Sequence, residues 1–307
     1  MAALLAALLP AAAASAAQPP LCFEAATLAE HKGVQVALAT LLHSRQGQGV
    51  GWGPGQQAGV CAPAAAAGQL RVGLDASLPA QHYELRRGRI VGGDTNGVTY
   101  GLLDLARLRQ QQAGGDSDGG GGVQRGGPAY KSRVYSIEGQ WLDLPDVAYY
   151  SSTPPYLNAS LVAAEASYIA RGLPALVRNR VTALVLLHPN VEDYVNYDHL
   201  GNGSEVWPQG HPHRQRSAAL CPLVSKLVQE TQAHGLKFFF KPYELGFPKQ
   251  LPQLYPLGLG SDAQINSTRA VLRAKYKELF ECTGADGKTG RSFEETVENR
   301  SLHGPRS

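Results

Sequence analysis

The chain has 307 residues, of which 43% are hydrophobic and 17% charged, a balance that excludes an intrinsically disordered protein and leaves room for two domains. The net charge is +3, from 28 Lys and Arg against 25 Asp and Glu; the basic residues are scattered, so the chain carries no electrostatic footprint for nucleic acid. Glycine and proline number 35 and 20, but much of the glycine sits in one tract, which excludes a collagen-like repeat.

Residues 1–23 carry no charged side chain, and Ala2 to Ala17 is an apolar run broken only by Pro10 and Ser15. The run is too short to span a bilayer comfortably. Ala14-Ser-Ala supplies small residues at a cleavage point and Gln18-Pro-Pro then breaks any helix, so residues 1–17 read as a signal peptide. A basic segment ahead of the apolar run is missing, and an organelle transit peptide would carry Arg and more Ser. The expectation is a secreted, extracellular protein with no membrane segment in its mature form. Asn158, Asn202, Asn266 and Asn299 each open a glycosylation acceptor triplet, which matters only on the secretory path. The four cysteines lack the close spacing of a zinc site. Cys22 and Cys61 either form a disulfide within the first domain or are buried thiols.

Residues 21–112 alternate strand and helix. Val34, Ala37, Leu38, Leu41 and Leu42 share a helical face. Leu70 to Leu74 reads as a strand, and Tyr83 to Arg86 with Arg89 to Val91 as a hairpin turning at Arg87-Gly88. Asp94-Thr-Asn-Gly starts a second helix, with Val98, Leu102, Leu105 and Leu108 inward. Two helices on one face of a small sheet make an α+β domain. Residues 113–129 are glycine-rich and read as a linker or surface insertion.

From 130 to 307 the pattern becomes strand then helix, repeatedly. Ser132 to Ile137, Val181 to Leu187 and Leu236 to Phe240 read as strands, the second an unbroken apolar run of the kind a buried parallel strand shows. Helices are expected at Leu161 to Ile169, at Cys221 to Ala233, and at Ser267 to Phe280 with Ser267 or Thr268 as its cap. The fold class is α/β, a small α+β domain followed by the parallel βα units of a partial TIM-type barrel.

Functional groups in such folds sit just after the C-terminal ends of strands. Glu138, Trp141 and Asp143 follow the first strand. His188-Pro-Asn190, Asp193-Tyr194 and Tyr197-Asp-His follow the second, and Lys241-Pro-Tyr243-Glu244 the third. Carboxylates, histidine and aromatic rings at successive strand ends suit a sugar site. Each also has a plainer reading: Glu138 and Glu244 as ion-pair partners, His188 as a strand-end cap, Trp141 and Tyr243 as core or rim aromatics. His211-Pro-His213 lacks a third ligand and reads as solvated loop. The sequence shows no motif that demands a metal or a cofactor.

The stretch Gly92-Gly-Asp-Thr-Asn-Gly-Val-Thr-Tyr-Gly-Leu-Leu-Asp-Leu resembles the helix start in the small α+β domain that precedes the barrel of β-N-acetylhexosaminidases and α-glucuronidase-type glycoside hydrolases. Lys131-Ser-Arg-Val-Tyr, the His188 strand end, Tyr197-Asp-His and His234-Gly-Leu-Lys are similar to the barrel openings of the same superfamily. The resemblance covers roughly residues 60–285 and implies a secreted hydrolase of O-glycosidic bonds. It breaks down toward the C-terminus. A full (β/α)8 barrel needs about 250 residues, whereas the segment from Ser132 onward has room for three βα units and the start of a fourth. The decisive acid of those enzymes comes from a later strand end, a place that Glu294 or Glu295 would take.

The leading expectation is therefore a glycoside hydrolase-like protein with Glu244 and Glu294 or Glu295 as catalytic carboxylates and Arg133, Trp141, His188 and Tyr243 as carbohydrate-binding groups. The alternatives are a secreted carbohydrate-binding protein without catalysis and an inactive fragment of a longer glycosidase, with an open sheet edge prone to aggregation.

Overall fold

The computed structural model describes residues 21–43, 59–61, 70–86, 88–112, 123–137, 149–187, 191–201, 203–242 and 246–288. The chain forms two compact units, Met1–Pro128 and Ala129–Ser307.

The first unit holds strands β1 (Leu21–Phe23), β2 (Gly59–Val60), β3 (Leu70–Leu74), β4 (Tyr83–Arg86), β5 (Arg89–Gly92) and β6 (Gln124–Gly126), with helices α1 (Ala26–Glu30), α2 (Lys32–His43) and α3 (Thr95–Gln112). The sheet order is β2-β1-β3-β5-β4-β6. β2, β1, β3 and β5 run parallel, while β4 pairs antiparallel with both β5 and β6. The core follows the sequence periodicity: Val34, Ala37 and Leu41 of α2 and Val98, Leu102 and Ala106 of α3 are buried with Val72, Tyr83 and Ile90 of the sheet. β6 corrects the reading of 113–129 as linker throughout, because Gln124 to Gly126 forms the edge strand beside β4. A disulfide joins Cys22 to Cys61.

The start of α3 depends on close backbone approach. Asp94 caps the helix, its Oδ1 accepting the Gly97 amide at 2.7 Å and the Gln81 amide at 2.9 Å. A β-carbon on Gly93 would lie 2.2 Å from the Pro79 carbonyl oxygen, and one on Gly97 would lie 2.2 Å from that of His82. No side chain fits at either position.

The second unit holds β7 (Val134–Ile137), α4 (Ala159–Arg178), β8 (Ala183–Leu187), α5 (Gly203–Val206), α6 (Pro212–Ala233), β9 (Lys237–Lys241), α7 (Leu251–Leu254), α8 (Asp262–Thr283) and β10 (Gly287–Lys288). Its sheet is entirely parallel, in the order β10-β9-β8-β7. Successive strands are neighbours and a long helix separates each pair, which is the topology of a partial TIM-type barrel. Leu184, Leu186, Phe238 and Phe240 of the strands are buried with Val162 and Leu173 of α4, Val224 and Val228 of α6, and Val271 and Leu279 of α8. A second disulfide, Cys221–Cys282, ties α6 to α8.

Two helices begin earlier than their apolar patterns indicate. α6 starts at Pro212, a proline at a position where no amide donor is needed. α8 starts at Asp262 with Ser261 as cap, its hydroxyl accepting the Gln264 amide. Ser267 and Thr268 are thus helix interior, and Thr268 bonds the Gly258 amide instead. The outer edge of β7 carries exposed Val134 and Tyr135.

Candidate functional site

Beyond the C-terminal ends of β8 and β9 lies a cavity of about 490 Å³. Three segments line it: the 3-10 turn Val191–Tyr194 after β8, Trp207 with the first turns of α6, and residues 246–250 after β9. The parallel strands deliver all three to one end of the sheet.

Two ion-pair networks build its walls. In one, Arg216 reaches Asp193 Oδ1 at 3.0 Å while its guanidinium lies 4.4 Å from the Tyr150 ring centroid, and the Tyr150 hydroxyl donates to Asp193 Oδ2 at 2.5 Å. In the other, Glu192 is met by Lys275 of α8 and accepts the Tyr197 hydroxyl. Burial pushes the Glu192 carboxyl above the ordinary carboxylate range, against the pull of the Lys275 ammonium and the Tyr197 hydroxyl. Tyr197, buried and beside that carboxylate, is raised far above a normal phenol. It stays protonated as a donor.

His213 is buried at the base of the cavity. Its Nε2 faces the Val195 carbonyl at 2.9 Å and its Nδ1 the Arg216 guanidinium at 3.3 Å, so the ring proton belongs on Nε2. Burial lowers its pKa from 6.5 to about 4. The ring is therefore neutral at pH 7, and Trp207 stacks on it with centroids 4.2 Å apart and planes 15° apart. The His211-Pro-His213 segment is accordingly no solvated loop. His211 caps α6 by accepting the His213 amide, and His213 shares the apolar face with Ser217, Leu220 and Val224.

Every member of the Tyr197-Asp-His segment has a structural partner. Glu278 of α8 accepts the amides of Asn196 at 2.7 Å, Tyr197 at 2.8 Å and His199 at 3.1 Å. These bonds hold Tyr197 at a φ of 63°, an uncommon conformation for a residue with a side chain. Asp198 pairs with Arg214, and His199 Nε2 lies 2.7 Å from Glu281.

Arg133 stands at the opposite end of the sheet. It precedes β7, its Nε donates to the Arg180 carbonyl, and its Nη1 donates to that of Tyr130 at 2.6 Å. A strand length, about 13 Å, separates that edge from the C-terminal ends, so Arg133 closes the sheet and does not line the cavity. Glu244, Glu294, Glu295, Trp141, His188 and Tyr243 lie outside the described residues, as do Glu138 and Asp143.

Lys275 and Glu278 were not expected from the sequence, yet one signal for Lys275 was available. Val271, Leu272, Lys275, Tyr276 and Leu279 recur at helical spacing, placing a lysine inside an apolar stripe, where it must be buried against an acid. A larger groove of about 1000 Å³ runs beside β7 and α4. Its lining is mainly apolar, and its carboxylate, Glu165, accepts the Tyr149 hydroxyl at 2.6 Å. Among the described residues no group of three or more His, Cys, Asp and Glu is placed to hold a metal ion, and no helix is long and apolar enough to cross a membrane.

No family model matches the chain, and neither does any curated protein. Solved structures do. A GH138 enzyme targeting pectin rhamnogalacturonan II superposes with a TM-score of 0.52 at 15% identity, covering 87% of this chain and 30% of its own. A β-N-acetylhexosaminidase from Bacteroides fragilis gives 0.40 at 13% identity, covering 93% and 56%. The Flavobacterium johnsoniae chitobiase gives 0.44 at 13%, covering 93% and 44%. The chain thus spans between about a third and just over half the length of these structures. The first likeness, with the strand order above, shows that the chain has a glycosidase-like fold: a small α+β unit and then the parallel βα units of a partial TIM-type barrel.

Proposed function

We propose that the protein is glycoside hydrolase-like and acts on O-glycosidic bonds of a polysaccharide or glycan. Its sugar is held at the C-terminal ends of β7, β8 and β9, and Glu244 serves as acid, base or nucleophile. One observation supports the reading: β9 ends at Lys241, Glu244 stands three residues further along the sequence, and parallel βα folds place their chemistry after such strand ends. Glu294 or Glu295 is the candidate second carboxylate, and Trp141, His188 and Tyr243 are candidate sugar contacts. The test is a panel of aryl glycosides, including N-acetylglucosaminides and uronides, turned over by the wild type and by Glu244→Gln. The expected result is a loss on the order of 10²-fold or more with unchanged folding. Equal turnover by both proteins would remove Glu244 from the mechanism.

A second reading, carbohydrate binding without hydrolysis, is favoured by the state of the described strand-end carboxylates: Glu192 and Asp193 are each engaged by a cation. It requires saturable binding of a saccharide in a calorimeter with no release of reducing ends.

A further inference from the structure

The loops leaving β8 and β9 are joined by one fully buried side chain. We infer that Lys275 is a positioning residue that clamps the segment after β9 onto the turn after β8 and so fixes two walls of the cavity. An ammonium group offers three donors and must find acceptors when removed from water. Lys275 finds them outside its own helix. Its Nζ donates to the Gly246 carbonyl at 3.0 Å, pairs with Glu192 and lies 5.4 Å from the Phe247 ring centroid. Gly246 and Phe247 belong to the β9 exit and Glu192 to the β8 exit. The β8 side is itself fixed from α8, because Tyr197 donates to Glu192 while Glu278, three residues after Lys275, holds the Tyr197 amide. One helix thereby sets the separation of both exits.

The consequence for the site is geometric. Glu192, Gly246 and Phe247 all line the cavity, so release of Lys275 would shift two of its three walls at once. Displacement of a reacting group by about 1 Å costs on the order of 10²-fold in rate. The role in turnover rests on the glycosidase reading, whereas the clamp itself does not.

Three variants and two readouts separate these. Lys275→Met leaves Glu192 buried without its cation, so Lys275→Met/Glu192→Gln is made beside it to remove both charges and keep the fold. Hydrogen exchange is followed at Leu251, whose amide donates to the Pro248 carbonyl at 3.0 Å, and at Val195, whose amide donates to that of Glu192 at 3.0 Å. Both amides should exchange about 10-fold faster or more in the double variant, with α4 and β8 unchanged. Unchanged exchange overturns the clamp, whatever the activity. If the wild type hydrolyses a glycoside, kcat of the double variant should fall about 10- to 100-fold with KM nearly constant, and Lys275→Arg should recover part of the loss. Faster exchange with unaltered kcat overturns the positioning role. A wild type inert on every glycoside overturns the hydrolase reading, and exchange alone then decides the clamp.

Discussion

At the N-terminal end of the β7–β8–β9 sheet, polar side chains are bonded to main chain. Thr182 Oγ1 accepts the Arg133 amide at 2.8 Å, Arg133 donates to two carbonyls, and Asp286 accepts the Phe238 amide at 2.7 Å. At the C-terminal end the polar groups mostly meet one another, as Glu192 with Lys275, Asp193 with Arg216 and Tyr150, and Asp198 with Arg214. Main-chain partners are fixed by the fold and serve stability. Side-chain pairs depend on several loops arriving together, and they leave a cavity lined by ionisable groups. The contrast matches the division of labour in parallel βα folds, where one end is scaffold and the other carries chemistry.

The contrast is testable by taking one group at a time. Glu278 is the largest expected effect, because Glu278→Ala leaves three loop amides without their acceptor. A loss of about 3 kcal/mol in urea unfolding is expected, which would make Glu278 a main-chain anchor within the C-terminal end; a loss below that of Arg133→Ala would confine the scaffold to the N-terminal end. His213 comes next. Its folded pKa of about 4 lies below the ordinary 6.5, so its contribution is complete above pH 6.5 and is lost as pH falls toward 4. Between pH 7.5 and 5 this removes about 2 kcal/mol. His213→Gln should flatten the pH dependence of thermal unfolding, and an unaltered profile would mean that another group titrates. Arg133→Ala is the smallest, at about 1 kcal/mol, with no change at the cavity. An effect of Arg133→Ala on saccharide binding would return that residue to the site.

Much of the fold is legible in the sequence because it rests on periodicity. Leu70 to Leu74 and the hairpin at Gly88 are where the alternation and the turn place them, and Val271, Leu272, Tyr276 and Leu279 are buried as their spacing requires. Helix starts are less legible. The first turns of α6 and α8 are polar, so an apolar stripe says nothing about Pro212 or Asp262. β6 is hidden in a glycine-rich tract because its strand character comes from pairing with β4 and not from its own side chains. The site is read least well. A charge is an ambiguous letter: Arg133 could bind a ligand or main chain, and it donates to the carbonyls of Arg180 and Tyr130. The Cys221–Cys282 bond and the Glu278 cradle join residues 61 or more positions apart, beyond any local pattern.

The glycines at the start of α3 bear on how sequence likeness should be interpreted. Gly93 and Gly97 stand where neighbouring carbonyl oxygens occupy the space of a β-carbon, so this glycine pattern records where the backbone has no room. Such a signature is a record of crowding. It can be shared by proteins with different catalysts, and it would persist where the chemistry had been lost, so likeness here speaks for shape and leaves the question of turnover to the strand ends.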